Sequence, residues 1–68
     1  MRKYYVKVRS FSGEYILSIN SHKEMDMLEK HCSIRNCEIT ESYINAAKVS
    51  RADMTADRFI ERSSQGLV

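Results

Sequence analysis

The sequence predicts a small two-layer α+β domain in which a β-hairpin, a helix, a third strand and a C-terminal helix follow one another as β-β-α-β-α, with an antiparallel or mixed three-stranded sheet. Three observations predict it. Residues 3–11 and 14–20 alternate apolar and polar side chains with the period of two that a half-buried strand shows. Ser12-Gly13 between them supplies a short turn with a glycine. Two later stretches switch to the helical spacing of three and four, separated by a run rich in β-formers. With 68 residues the chain hides only about 60% of the surface its unfolded form exposes, which allows one thin core of about a dozen side chains and leaves little room for an enzyme pocket.

In the hairpin, Tyr4, Val6 and Val8 fall on one side of the first strand and Tyr5, Lys7, Arg9 and Phe11 on the other. A Ser12-Gly13 loop pairs Phe11 with Glu14, and so sets Ser10 opposite Tyr15, Val8 opposite Leu17 and Val6 opposite Ile19. Ser21-His22-Lys23-Glu24 fits a capping box, in which the serine hydroxyl accepts from the third helical residue and that residue's carboxylate reaches back. The helix it opens buries Met25, Leu28 and Cys32 and turns Lys23, Asp26, Glu29 and Lys30 to water. Asn36 suits the turn that follows. A third strand over residues 37–44 then carries Ile39 and Tyr43 on one side and Thr40, Ser42 and Ile44 on the other; the alternative is a helix capped by Thr40 or Ser42 that runs through Tyr43, Ala46 and Ala47. A crossover through the first helix brings this strand beside the first one. A last helix is expected over residues 52–62, opened by Ser50, with Ala52, Ala56, Phe59 and Ile60 as its stripe. With no proline, and Gly13 and Gly66 the only glycines, the chain reads as one domain over residues 1–62 with 63–68 a flexible C-terminal tail.

Eleven Lys and Arg stand against nine Asp and Glu, and the net +2 is unevenly spread. Residues 1–20 carry +3, residues 21–44 carry −2 and the remainder +1. A binder that neutralises many phosphates needs a concentrated cationic face, which this layout offers only on the hairpin or the last helix. Apolar runs of two or three residues fall far short of the roughly 18 to 20 of a membrane span, and Met1-Arg2-Lys3 leads into alternation and not into an apolar signal core. A cytoplasmic chain with no membrane partner is the expectation.

Nucleophile elbows, Gly-rich phosphate loops and paired catalytic carboxylates are all missing from the sequence. Cys32 and Cys37, spaced C-x4-C, with His22 and His31 scattered around them, depart from the paired spacing of zinc sites; they read as neutral thiols first, a disulfide closing the short loop second and a metal site last. His22 and His31 lie nine residues apart, half a turn around a helix, and do not converge as the acid and base of a small ribonuclease. Met25 reads as core and Met27 and Met54 as boundary residues; neither they nor Met1 call for a cofactor.

The suggestive feature is the hairpin's second face, with Tyr5, Lys7, Arg9 and Phe11 on one strand and Ile16 and Ser18 on the other. It has three readings: a small second core beneath the last helix, a protein interface, or a platform that stacks bases and holds phosphates. Glu24, Asp26 and Glu29, with Glu38 and Glu41 nearby, form a solvated acidic flank or a mimic of nucleic-acid charge offered to a basic partner. In size, lack of motifs and element order the chain is similar to many small phage- or plasmid-encoded proteins that bind and inhibit a host macromolecule, a likeness of architecture carried by no single residue. The functional expectation is a non-enzymatic module that binds protein as a regulator or inhibitor, or as a homodimer, through Tyr5, Lys7, Arg9 and Phe11, with Glu24, Asp26 and Glu29 as a second surface. The alternative is nucleic-acid binding by the same hairpin face. Neither needs a cofactor.

Overall fold

The computed structural model describes residues 3–68; Met1 and Arg2 lie outside the described residues. The hairpin is formed by β1 (Tyr4–Ser10) and β2 (Gly13–Ile19), followed by α1 (His22–Ile34) and β3 (Glu38–Ile44). A single 3-10 turn at Ala46–Lys48 leads to a two-residue strand, β4 (Met54–Thr55), and to α2 (Ala56–Ser64). The expected β-β-α-β-α order holds, and a fourth short strand is added, so the sheet is mixed with order β3-β1-β2-β4. β1 is antiparallel to both its neighbours, whereas β4 runs parallel to β2.

The hairpin register departs from the expected one. Tyr4 faces Ile19, Val6 faces Leu17, Val8 faces Tyr15 and Ser10 faces Gly13, which leaves Phe11-Ser12 as the loop. Ser10 decides this: its hydroxyl accepts from the Ser12 backbone N–H at 3.4 Å and lies 3.1 Å from the Ser12 hydroxyl, stapling the turn from its first position. Serine first and glycine fourth is a favoured turn pattern, and Gly13 takes φ +133°, where a side chain would be strained. Because each pairing moves by two positions, the strand residues stay on the faces expected of them, while Phe11 passes into the loop.

α1 matches its expected cap and stripe. Ser21 accepts from the Glu24 backbone N–H at 3.2 Å, and the Glu24 carboxylate reaches back to the Asn20 N–H at 3.3 Å. Met25, Leu28 and Cys32 are buried. They pack with Val6, Val8, Leu17, Ile19, Ala56, Phe59 and Val68 in one core, so both helices cover the same side of the sheet.

α2 begins four residues later than expected. Thr55 and not Ser50 is the cap, accepting from the Arg58 N–H at 3.1 Å. The cause is Asp53, which is drawn to the free edge of β2: its carboxylate accepts from the Ile16 N–H and its own N–H donates to the Ile16 carbonyl, each at 2.7 Å. Residues ahead of Thr55 therefore extend along the sheet as β4 and cannot coil, and Ala52 is left outside the helix. Where a flexible tail was expected from residue 63, α2 continues through Ser64; the Leu67 N–H donates to the Arg62 carbonyl at 2.9 Å, and Val68 returns to the core.

The passage from β3 to β4 decides what covers the other face. These strands occupy opposite edges of the sheet, so residues 45–53 pass across β1 and β2. The crossover through α1 and this one run in opposite directions between parallel strands, and a common right hand places them on opposite faces. Burial agrees. Ser18 and Ile44, both on the side away from the helices, are only 6% and 8% exposed. The helix considered for residues 43–47 is reduced to the 3-10 turn, capped by the Asn45 side chain on the Ala47 N–H at 2.9 Å.

Candidate functional site

The strap formed by residues 45–53 divides the second hairpin face. Tyr5 and Ile16 are half-buried near it, beside Ser18 and Ile44. They form a small second apolar layer, as one of the three readings had it, but the last helix lies on the opposite side of the sheet and does not cover it. Further along the sheet Lys7 and Arg9 lie among carboxylates. Lys7 is in register with Glu41, and Arg9 with Glu38 on one side and Glu14 on the other. The Arg9 guanidinium stands 3.7 Å from the Glu14 carboxylate, an exposed pair of small energetic weight. Two cations among three acids make no cationic platform, so the charges of Lys7 and Arg9 are offset locally once β3 is in place.

Phe11 is not on that face at all. It sits at the hairpin tip and is 70% exposed. Two clefts flank it, one of about 240 Å³ lined by Arg9, Asn36 and Cys37 among others, the second of about 190 Å³ lined by Arg35, Cys37 and Val68 among others. Ile34, which precedes Arg35, is 81% exposed, and Leu67, between Gly66 and Val68, is 54% exposed. The hairpin tip, the end of α1 and the chain's last residues thus meet at one end of the molecule, and each of these segments carries one exposed large apolar side chain. Sequence reasoning missed Ile34 and Leu67. A signal existed for Ile34: it lies half a turn from Met25 around the helix, on the side away from the buried stripe, as does the exposed Met27. Leu67 had no such signal, because its surroundings depend on the return of Val68 to the core.

The expected acidic surface is dispersed. Glu24 is engaged in the cap of α1, while Asp26 and Glu29 are exposed alongside Lys23 and Lys30. The histidines are apart, as expected. His22 bonds through Nδ1 to the Tyr43 hydroxyl at 3.0 Å, and Tyr43 stacks edge-on against Tyr4 with ring centroids 5.8 Å apart. Tyr43 adopts φ +53°, uncommon for a residue with a side chain, where the register of β3 against β1 is irregular. That irregularity also blunts β3 as an exposed edge for pairing with another chain.

His31 packs edge-on against Phe59, with ring centroids 6.4 Å apart and Nε2 buried without a hydrogen-bond partner. Burial, and secondly the positive charge of Arg35, lower its pKa from the usual 6.5. The folded state therefore holds the neutral ring, whereas the unfolded chain takes up its proton near 6.5. Stability is expected to be fully present above pH 6.5 and to fall as pH drops below it, until the folded ring also protonates. Urea midpoints at pH 7.5 and 5.5 measure this, and His31→Gln should flatten the slope; an unchanged slope would assign it to other groups.

Cys32 and Cys37 are free thiols whose sulfurs lie 2.7 Å apart. The turn explains the approach. The Arg35 N–H donates to the His31 carbonyl at 2.8 Å and the Cys37 N–H to the Arg35 carbonyl at 3.0 Å, which folds the chain back over the last turn of α1. Burial first, and the neighbouring Cys37 second, push the Cys32 thiol up to about 12. Among the described residues no group of three or more His, Cys, Asp or Glu is placed to hold a metal ion, and no helix is long and apolar enough to cross a membrane. Comparison with protein-family models, with curated proteins and with solved structures finds no match to this chain.

Proposed function

We propose that the chain is a small protein-binding module of the regulator or inhibitor kind, acting by contact in the cytoplasm. The observation that carries this reading is the exposure of Phe11, Ile34 and Leu67 at one end of the molecule, with Arg35 lining the cleft beside Phe11. Large apolar side chains exposed together cost free energy in water unless a partner covers them, and aromatic and arginine side chains are the types that dominate binding energy at interfaces. The same reading moves the contact surface from the strand positions Tyr5, Lys7 and Arg9 to the hairpin tip, retaining Phe11. A host macromolecule of protein nature is the partner class, in keeping with the architectural likeness to small mobile-element inhibitors.

The test compares the tagged wild-type chain, a Phe11→Ser, Ile34→Ser variant and a Lys7→Ala, Arg9→Ala variant, each purified with its associated molecules from the native cell. Phe11, Ile34 and Arg9 are exposed, so folding should change by about 0.5 kcal/mol or less at each of these sites. The expected result is a stable protein partner whose affinity for the first variant falls at least about tenfold, and which the second variant retains. Copurification of nucleic acid, lost with rising salt and with the second variant alone, would replace this reading with the nucleic-acid one.

A further inference from the structure

We infer that Cys32 and Cys37 form a redox site that exchanges with low-molecular-weight disulfides, Cys37 attacking first and Cys32 resolving. The inference stands on geometry and does not depend on the binding reading. The sulfurs lie 2.7 Å apart, against about 2.05 Å in a disulfide, so ring closure needs only a small movement of the two side chains. The tight turn at Arg35–Asn36 holds them together in advance, which removes most of the entropic cost of closing the loop. Access to them is unequal. Cys37 lies in the wall of both clefts beside Phe11, open to a reagent of modest size, whereas Cys32 is only 9% exposed and packed in the core. Arg35 in the wall of the second cleft offers a guanidinium group to a reagent that carries carboxylates, as glutathione disulfide does.

The chemistry balances in two exchanges. In the first, Cys37 loses its proton to solvent and its sulfur bonds to one sulfur of the reagent; the reagent's S–S bond breaks and one thiolate leaves with the electron pair and is protonated. In the second, the Cys32 sulfur, having given up its proton, attacks the Cys37 sulfur and expels the other thiol. The dithiol is oxidised by two electrons, and the low-molecular-weight disulfide is reduced to two thiols. Burial pushes the Cys32 thiol up to about 12, which keeps it from being the first to attack.

The probe is oxidised glutathione, added to the reduced full chain under native conditions. Intact mass and thiol titration should show the loss of two hydrogens and of both titratable thiols, through a transient glutathione adduct that peptide mapping places on Cys37. Cys32→Ala should stop at a stable adduct on Cys37, and Cys37→Ala should acquire none while folded. Both thiols surviving in the wild type under conditions that oxidise a small dithiol would overturn the inference, as would an adduct found first on Cys32. The wild-type measurements decide the matter even if the Cys32→Ala chain fails to fold.

Discussion

Replacing Phe59 with alanine is expected to remove most of the folding free energy of this domain. The ring is fully buried and is the largest side chain in the core. It meets His31 of α1 on one side and Tyr15 of β2 on another, with ring centroids 6.4 and 6.0 Å away, and so joins α2 both to α1 and to the sheet. Truncating a buried phenylalanine costs about 3–5 kcal/mol, because the cavity adds to the lost transfer free energy. A domain of this length has only roughly 3–10 kcal/mol in total. Phe59→Ala should therefore shift the urea midpoint, followed by circular dichroism, to near zero denaturant or abolish the cooperative transition. A loss below about 1 kcal/mol would show that α2 is not integral to the core.

The second large effect is expected at Asp53. Its side chain and backbone make two bonds to Ile16, both at 2.7 Å, and a strand of only two residues has little else to hold it on the sheet. A hydrogen bond to a charged group contributes about 1.5–3 kcal/mol, and the exposure of this one places it toward the lower end. Asp53→Ala should cost about 1–2 kcal/mol and speed amide exchange at Ile16 by about tenfold or more, because 1.4 kcal/mol is a factor of ten. Asp53→Asn keeps the acceptor without the charge and should fall between. If exchange at Ile16 is unchanged in Asp53→Ala, the carboxylate is not what anchors residues 45–53, and β4 is held by its ladder alone.

These two residues mark the boundary of what could be read in advance. Phe59 was legible as part of a stripe with Ala56 and Ile60, because helical periodicity within one element reports its buried side. Asp53 falls in the first turn of the helix expected over residues 52–62. Nothing local distinguishes that role from an acceptor for a strand 37 residues earlier in the chain. The hairpin shows a milder form of the same ambiguity: Ser12-Gly13 and Phe11-Ser12 both close a two-residue loop, and the Ser10 hydroxyl selects the second. The candidate site moved further. Strand alternation put Tyr5, Lys7, Arg9 and Phe11 on one face, which holds for the first three, but the carboxylates of β3 beside Lys7 and Arg9 are contributed by a distant segment.

By itself, then, the sequence determined the α+β class, the hairpin and its two faces, the cap and buried stripe of α1 and the placing of β3 beside β1. All of these follow from periodicity, capping chemistry or chirality, which act over a few residues or through a single crossover. Tertiary structure alone decided that α2 joins α1 on one side of the sheet, that residues 45–53 cross the other side and that the hairpin tip, the end of α1 and the last residues meet at one end. Each of these outcomes depends on which surfaces remain unburied or which polar groups remain unpaired once the local elements have formed, a competition between segments far apart in the chain.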